Sequence, residues 1–255
     1  MAISVPAGPA GAPALRALSI GEILDTSFNL YRRHFGALAV IVLVCSLAPF
    51  ALLAYILATG MTWAALPLIL VYGLATLILG AVATGATVYV ISESYLGRSI
   101  TAREAFERVQ PRIGAVLVCS MMLGLIMMIG FVMLFFPGVI FGCGLAVAVQ
   151  AVVLEPSQTA STALSRSWEL TKGGKWRIFG LVLTAFILIS IPSAALGGIA
   201  ALAHAPDWLA AVLKNLVQMF LSPFLYCVLT VAYYDFRVRK EGFDLELLAA
   251  SLRPA

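Results

Sequence analysis

The residue types that most often perform catalysis or bind metals are sparse in this sequence. Its two histidines, His34 and His204, are separated by long apolar segments, and the topology derived below places them on opposite sides of a membrane. The sequence contains no H-E-x-x-H, G-x-S-x-G or P-loop motif, the spacings that position zinc ligands, an activated serine or a phosphate. We therefore predict no catalytic residue, no metal site and no cofactor.

The cysteines and the uncharged polar residues of the apolar runs are interpreted as packing residues. No cysteine has a C-x-x-C neighbour, so neither a disulfide framework nor a metal site is expected. The amide and phenol side chains are expected to hydrogen-bond between helices in preference to binding a substrate. The cysteines are Cys45, Cys119, Cys143 and Cys227, and the polar residues are Gln150, Asn215, Gln218 and Tyr226.

The composition excludes an ordinary soluble domain. Of 255 residues, 62% are apolar and 11% are charged, with a mean hydropathy of +1.03, whereas soluble domains carry about 25% charged residues. Lys and Arg lie in short segments between apolar runs, which is typical of topology signals and not of nucleic-acid binding. We predict an all-α membrane protein whose partners are the lipid bilayer and its anionic phospholipid headgroups, with no nucleic acid.

Charge-free runs indicate the number of membrane crossings. Residues 35–92 contain no Asp, Glu, Lys or Arg, and as one helix this run would far exceed the ~30 Å hydrocarbon core. Basic clusters precede and follow the run, and an even number of crossings keeps both on one side. The same reasoning along the chain predicts six transmembrane helices, over residues 36–58, 67–91, 113–135, 138–154, 178–203 and 214–234.

A short amphipathic helix is expected before each pair of crossings. Ser19 and Glu22 fit a capping box at the start of the first, and Thr101 and Glu104 fit one at the start of the second. The third helix begins near Ser157, where no capping box is present. These helices would lie at the cytoplasmic interface, so the predicted fold is three transmembrane hairpins, each preceded by an interfacial helix.

Glycine and proline residues suggest where the hairpins turn and where helices pack closely. We place one turn near Thr59–Pro67 and another at Pro137–Gly138. A stripe of small residues and a G-x-x-x-G pattern are interpreted as close helix packing and not as a permeation path. The stripe consists of Gly73, Thr76, Gly80, Thr84 and Thr87, and the G-x-x-x-G pattern consists of Gly138 and Gly142.

Every Lys and Arg except Lys214 falls on one side of this topology. By the positive-inside rule that side is the cytoplasm, so we predict a multi-pass plasma (inner) membrane protein with both termini cytoplasmic. A protein partner at the cytoplasmic face is also considered. The residues expected at the lipid headgroups or the interface are Arg32, Arg33, Arg112, Lys172, Lys175, Trp176, Arg177, Arg237, Arg239 and Lys240.

The ends of the chain are predicted to lie outside the membrane domain of residues 19–241. Residues 1–18 are rich in Ala, Pro and Gly and lack the apolar core of a signal peptide, so a disordered tail is expected. Residues 242–255 would form a cytoplasmic tail, in which Asp244 caps a short helix over Leu245–Leu252.

Three segments carry a family resemblance: SIGEILDTSFNLYRRHFG (19–36), ALSRSWELTKGGKWRIFG (163–180) and YYDFRVRKEGFDLELLA (233–249). Together they resemble the prokaryotic membrane-domain family named after glycerophosphoryl diester phosphodiesterase. The resemblance implies a multi-pass plasma-membrane protein. In the fused enzymes of that family the phosphodiesterase activity belongs to a separate barrel domain with a His/Glu/Asp metal site, which this sequence lacks, so the activity is not carried over.

Three functions are compatible with these patterns. The first is a non-catalytic scaffold or accessory module that acts through a basic cytoplasmic collar. The alternative is a transporter or lipid-handling protein, which requires a polar cavity at mid-membrane depth. The third, a membrane-embedded phosphodiesterase, requires clustered acids or histidines.

Overall fold

The computed structural model describes residues 16–59, 65–133, 135–204 and 206–243, and the regular structure within these ranges is helical. A 3-10 turn, Gln110–Arg112, joins two of the helices. The α-helices are α1 (Ile20–Arg33), α2 (Phe35–Thr59), α3 (Leu66–Tyr95), α4 (Ala102–Val109), α5 (Ile113–Met133), α6 (Phe135–Leu145), α7 (Ala148–Leu154), α8 (Ala160–Thr171), α9 (Lys175–Leu202) and α10 (Asp207–Glu241).

Six helical segments of the described chain are long and apolar enough to cross a membrane. The predicted all-α fold is confirmed, and the number of candidate spans equals the six that were predicted. A helix suits a charge-poor run because it satisfies the backbone hydrogen bonds within the segment. Consecutive long helices pack together, α2 on α3, α5 on α6 and α9 on α10. The segments are Phe35–Thr59, Leu66–Tyr95, Ala102–Val132, Phe135–Leu154, Lys175–Ala200 and Trp208–Glu241.

Capping boxes begin α1 and α4, as predicted. At α1 the backbone N–H of Ser19 donates to Glu22 Oε2 at 2.7 Å, and the Glu22 N–H donates to Ser19 Oγ at 3.3 Å. The hydrogen bonds from Ser19, helped by Arg16, lower the pKa of Glu22 to about 2. The carboxylate therefore stays ionised, and the cap intact, over the physiological pH range.

The start of α8 differs from the prediction. Its N-cap is Thr159 and not Ser157, and a capping box is present. Thr162 takes the position usually held by Glu or Gln, and its Oγ1 accepts the backbone N–H of Thr159 at 2.8 Å. A hydroxyl can replace the carboxylate here because it also accepts a hydrogen bond.

The predicted turn at Pro137–Gly138 is wrong, because α6 begins at Phe135 and includes both residues. Proline fits the first turn of a helix, where its missing N–H removes no intrahelical hydrogen bond. The predicted crossing over 138–154 is also not continuous, since the helix ends at Leu145 and resumes at Ala148.

Two glycines allow unusually close helix contacts. A Cβ atom on Gly130 of α5 would lie 3.0 Å from the Cα atom of Gly138, and one on Gly144 of α6 would lie 2.3 Å from ring carbons of Trp168 in α8. The close packing predicted at Gly138 is therefore confirmed. The second contact seats α8 directly on the membrane-spanning part of the chain.

The most buried part of the protein lies at one end of the helix bundle, which we call the closed end. It contains residues 85–95 of α3 and residues 227–236 of α10, nearly all buried. Helices α1, α4, α7 and α8 pack around these two helix ends. The short helix α8 buries Ala163, Leu164 and Leu170, so its apolar side contacts protein.

Both ends of the described chain lie at the closed end. Leu18 is buried, and its backbone N–H donates to Asp235 Oδ1 in α10 at 2.7 Å. Gly242 ends α10 with a left-handed φ of 65°, a conformation that favours glycine. Residues 1–15 of the predicted tail, and the predicted helix over Leu245–Leu252, lie outside the described residues.

Candidate functional site

A cavity of about 270 Å³ lies between α2, α3 and α10, and we call it the central cavity. Its wall comes from parts of these helices that are apolar enough to cross a membrane. Among the described lining residues there is no Asp, Glu, Lys, Arg or His, although many are polar. The polar lining residues are Ser46 from α2, Tyr72, Thr76, Thr84 and Thr87 from α3, and Asn215, Gln218, Ser222 and Tyr226 from α10.

Some of these polar groups are hydrogen-bonded within the protein. Thr84 Oγ1 donates to the Tyr226 hydroxyl at 3.1 Å and so links α3 to α10. Gln218 Oε1 accepts a long 3.5 Å hydrogen bond from Ser193 of α9. Asn215 Nδ2 donates to the Ala211 carbonyl of its own helix at 2.8 Å. These bonds leave the Tyr226 proton and the Gln218 amide nitrogen available to another group.

Other hydroxyls in the wall are unpaired. Ser46, Tyr72 and Thr76 line the cavity and have no hydrogen-bond partner among the described residues. A hydroxyl that lies in the hydrocarbon core of a bilayer has no bulk water to satisfy it, and each unsatisfied polar group at that depth is costly. The central cavity is therefore suited to an occupant that forms hydrogen bonds.

Two prolines of the wall free additional acceptors. Because proline has no N–H, Pro49 and Pro223 leave the carbonyls of Cys45 and Met219 without their helical donors. The Ser222 hydroxyl donates to the Met219 carbonyl at 3.0 Å. Cys45 and Pro49 both belong to the cavity wall. The α2 side of the wall therefore includes the Cys45 carbonyl, a backbone acceptor without its helical donor.

The close packing predicted for the small-residue stripe of α3 holds only at its C-terminal end, where Thr87 is buried and Thr84 bonds to Tyr226 of α10. It is wrong for Gly73 and Gly80. A Cβ atom on Gly73 or on Gly80 would meet no other atom within 4 Å. Gly80, Thr76, Thr84 and Thr87 instead line the central cavity. The stripe has the spacing of a packing motif, but no other atom lies close to its glycines, Gly73 and Gly80.

No protein-family model, curated protein or solved structure matches this chain.

The closed end pairs several of the predicted headgroup cations with buried carboxylates. Asp235, 1% exposed, accepts from Arg177 at 3.1 Å and from Arg239 at 3.0 Å. Arg239 also donates to the Leu18 carbonyl at 2.6 Å, and Arg177 donates to the same atom. These two arginines thus hold α9, α10 and the segment before α1 together.

A second charge cluster is centred on Glu155, which follows α7. Its carboxylate accepts from the Tyr233 hydroxyl at 2.6 Å and from Arg166 Nε at 3.1 Å. Arg166 also pairs with Glu241. The hydrogen bond to Glu241 raises the pKa of Arg166 above its ordinary, already high value, so Arg166 stays charged. Arg237 pairs with Glu241 at 3.1 Å, so the cluster connects α7, α8 and α10.

Two further predicted headgroup cations donate to backbone carbonyls. Arg112 donates to the carbonyls of Val152 at 2.7 Å and Glu155 at 2.9 Å, where the end of α7 leaves acceptors without intrahelical partners. Lys240 donates to the Lys172 carbonyl at 2.8 Å at the end of α8. Both side chains therefore serve as helix C-terminal caps.

The remaining predicted headgroup residues are more accessible. Lys175 lies over the Trp168 ring, 3.3 Å from its centroid. Trp176 is 85% exposed. The exposed residues Arg32, Arg33 and Lys172 have no ion-pair partner within the described ranges.

The four polar residues singled out in the sequence have different environments. Tyr226 and Gln218 make the interhelical hydrogen bonds described above, which confirms that expectation for them. The expectation is wrong for Asn215, which bonds its own helix, and for Gln150. Gln150 is buried, and neither its Nε2 nor its Oε1 has a partner in the described part of the chain.

Sequence reasoning missed the anionic half of the closed end and part of the cavity wall. Asp235 and Arg239 are four residues apart, a spacing that places an ion pair on one helix face. Their pairing could therefore have been predicted from the sequence. Tyr72 precedes Thr76 by one helical turn and extends the α3 stripe. Within the described residues, no group of three or more His, Cys, Asp or Glu side chains could hold a metal ion.

Proposed function

We propose that the protein is a lipid-handling membrane protein that accepts the polar part of a membrane amphiphile in the central cavity. The observation that carries this proposal is the presence of unpaired, uncharged polar groups in a cavity within membrane-spanning segments. Ligand pockets of proteins usually combine apolar walls with a few polar groups that fix orientation, and the central cavity has this composition.

The proposal includes a topology. The six crossings form three hairpins, α1, α4 and α8 lie on the cytoplasmic side, and both termini are cytoplasmic in the plasma (inner) membrane. The contact between Leu18 and Asp235 supports it, because it brings both ends of the described chain to one end of the bundle. The cations of the closed end support it through the positive-inside rule. The resemblance to the glycerophosphoryl diester phosphodiesterase membrane-domain family implies a multi-pass plasma-membrane protein, which is compatible with this topology.

Filling the cavity tests the proposal. Gly80 lines the cavity, and a Cβ atom there meets nothing within 4 Å, so Gly80→Leu places a side chain in the cavity without a backbone clash. We expect the protein purified from native membranes to lose most of its specifically bound amphiphile, measured by mass spectrometry of the extracted lipid per mole of protein.

Gly73→Leu is the matched control. Gly73 lies on the same helix and is equally unobstructed, but it does not line the cavity. This variant should retain the bound amphiphile at the level of the unaltered protein. Equal lipid content in both variants and in the unaltered protein would contradict the proposal.

A scaffold or accessory module is a second candidate function. It is favoured by the exposure of Arg32, Arg33 and Lys172. The other predicted headgroup cations bind carboxylates, carbonyls or an aromatic ring, whereas these three are free to face solvent or lipid headgroups. We expect the double variant Arg32→Glu/Arg33→Glu to lose a partner that co-purifies with the solubilised unaltered protein. Purification of the unaltered protein without any stable partner would exclude this role.

A further inference from the structure

We infer that the central cavity selects an uncharged, hydroxyl-bearing head, such as the glycerol head of a diacylglycerol, and disfavours an anionic phosphate head. This inference rests on the proposed function and names its ligand class. The chains of such an amphiphile would remain in the bilayer while its head enters the cavity between α2, α3 and α10.

The first reason to expect an uncharged head is the lack of charge in the cavity wall. None of the described lining residues is ionisable to a cation, and the wall offers no counter-ion to a phosphate. An ion removed from water without a partner is strongly disfavoured. The adjacent cation on α10 is Lys214, which is exposed and precedes the lining residue Asn215, so it lies beside the wall and not in it.

The second reason is that the wall can both donate and accept hydrogen bonds. The free hydroxyls of Ser46, Tyr72 and Thr76 can each donate and accept, and the Gln218 amide nitrogen can donate. A ligand hydroxyl also donates and accepts, so it can pair with both the donors and the acceptors of the wall. A phosphate monoester presents mainly acceptors and would leave the acceptors of the wall unpaired.

The third reason is the small volume of the cavity. About 270 Å³ is slightly below the range of roughly 300–1,000 Å³ that pockets for whole small molecules occupy. The space suits a head of a few polar atoms. Apolar wall residues, including Phe50 and Leu53, would contact the first carbons of the chains.

A matched pair of lipids tests the inference. Dioleoylglycerol and dioleoyl phosphatidic acid have the same chains and differ only in the phosphate group. Binding of each to the full-length protein in detergent micelles is titrated by native mass spectrometry. We expect dioleoylglycerol to bind at least about tenfold more tightly, since leaving a buried charged group unpaired costs more than the roughly 1.4 kcal/mol that corresponds to a tenfold change.

Hydroxyl deletions identify the site. The double variant Tyr72→Phe/Thr76→Val should weaken dioleoylglycerol binding about tenfold, the effect of losing two ordinary hydrogen bonds. The matched control is Tyr55→Phe/Thr184→Val, which removes the same groups from residues that do not line the cavity. Thermal unfolding of both double variants verifies that they remain folded.

The outcomes separate the inference from the proposed function. Tighter binding of dioleoyl phosphatidic acid, weakened by Lys214→Gln, would overturn the uncharged-head inference and leave a lipid-handling function in place. Equal loss of dioleoylglycerol binding in the cavity and control variants would also overturn it. If neither lipid binds and Gly80→Leu leaves the native lipid content unchanged, the inference and the proposed function both fail.

Discussion

Replacing Asp235 with alanine is expected to lower the free energy of unfolding by about 3 kcal/mol. The carboxylate is buried and holds Arg177, Arg239 and the backbone N–H of Leu18, and removing one partner from a buried ion pair costs about 3–5 kcal/mol. We take the lower end because part of Arg239 is solvated. Unfolding by SDS titration in mixed micelles provides the measurement.

Glu107→Ala is the matched control for the loss of a paired carboxylate. Glu107 pairs with Arg103 at 3.0 Å, and both side chains are largely exposed. Exposed ion pairs usually contribute less than about 1 kcal/mol, so this variant should unfold close to the unaltered protein. An Asp235→Ala protein as stable as Glu107→Ala would show that the closed end does not depend on the buried carboxylate.

Replacing Gly144 with valine is expected to detach α8 from α6. A Cβ atom at this position would lie 2.3 Å from carbons of the Trp168 ring, and overpacking of a well-packed contact typically costs about 1–3 kcal/mol. The Ser167 and Thr171 hydroxyls, which donate to the Gly144 carbonyl at 3.0 and 2.9 Å, would separate from it. Amide hydrogen exchange across Ala160–Thr171 should become at least tenfold faster.

Gly124→Val controls for placing a β-branched residue in a membrane-spanning helix. A Cβ atom on Gly124 of α5 meets nothing within 4 Å, so hydrogen exchange in α8 should not change. Unaltered protection of α8 in Gly144→Val would mean that the Trp168 ring can move aside without loss of packing.

The number of crossings could be predicted because it depends on local composition. A charge-free run such as residues 35–92 must be helical in a bilayer, and the arginines around it restrict the count to even numbers. The turn at Pro137 was mispredicted because proline is equally suited to a loop and to the first turn of a helix. The sequence at Pro137 alone does not distinguish these two positions.

The central cavity could be predicted only in part. The stripe through Thr76 and Gly80 is evident in the sequence, but a stripe of small residues has the same spacing whether a neighbouring helix touches it or stands away. That difference depends on how α2 and α10 pack, which involves residues far apart in the chain. The pairing of Asp235 with Arg177 is likewise a long-range contact, whereas its pairing with Arg239 follows from helical spacing.

Because the buried residues are concentrated at the closed end, the helices are held together more strongly there than along the rest of their length. The final turns of α3 and α10 are anchored by side chains from several other helices. The first half of α3 is mostly exposed in the isolated chain, and in a membrane its neighbours would be lipid acyl chains. Fewer protein side chains restrain the helices along that part of their length, so local opening is expected to begin there while the anchored ends stay closed.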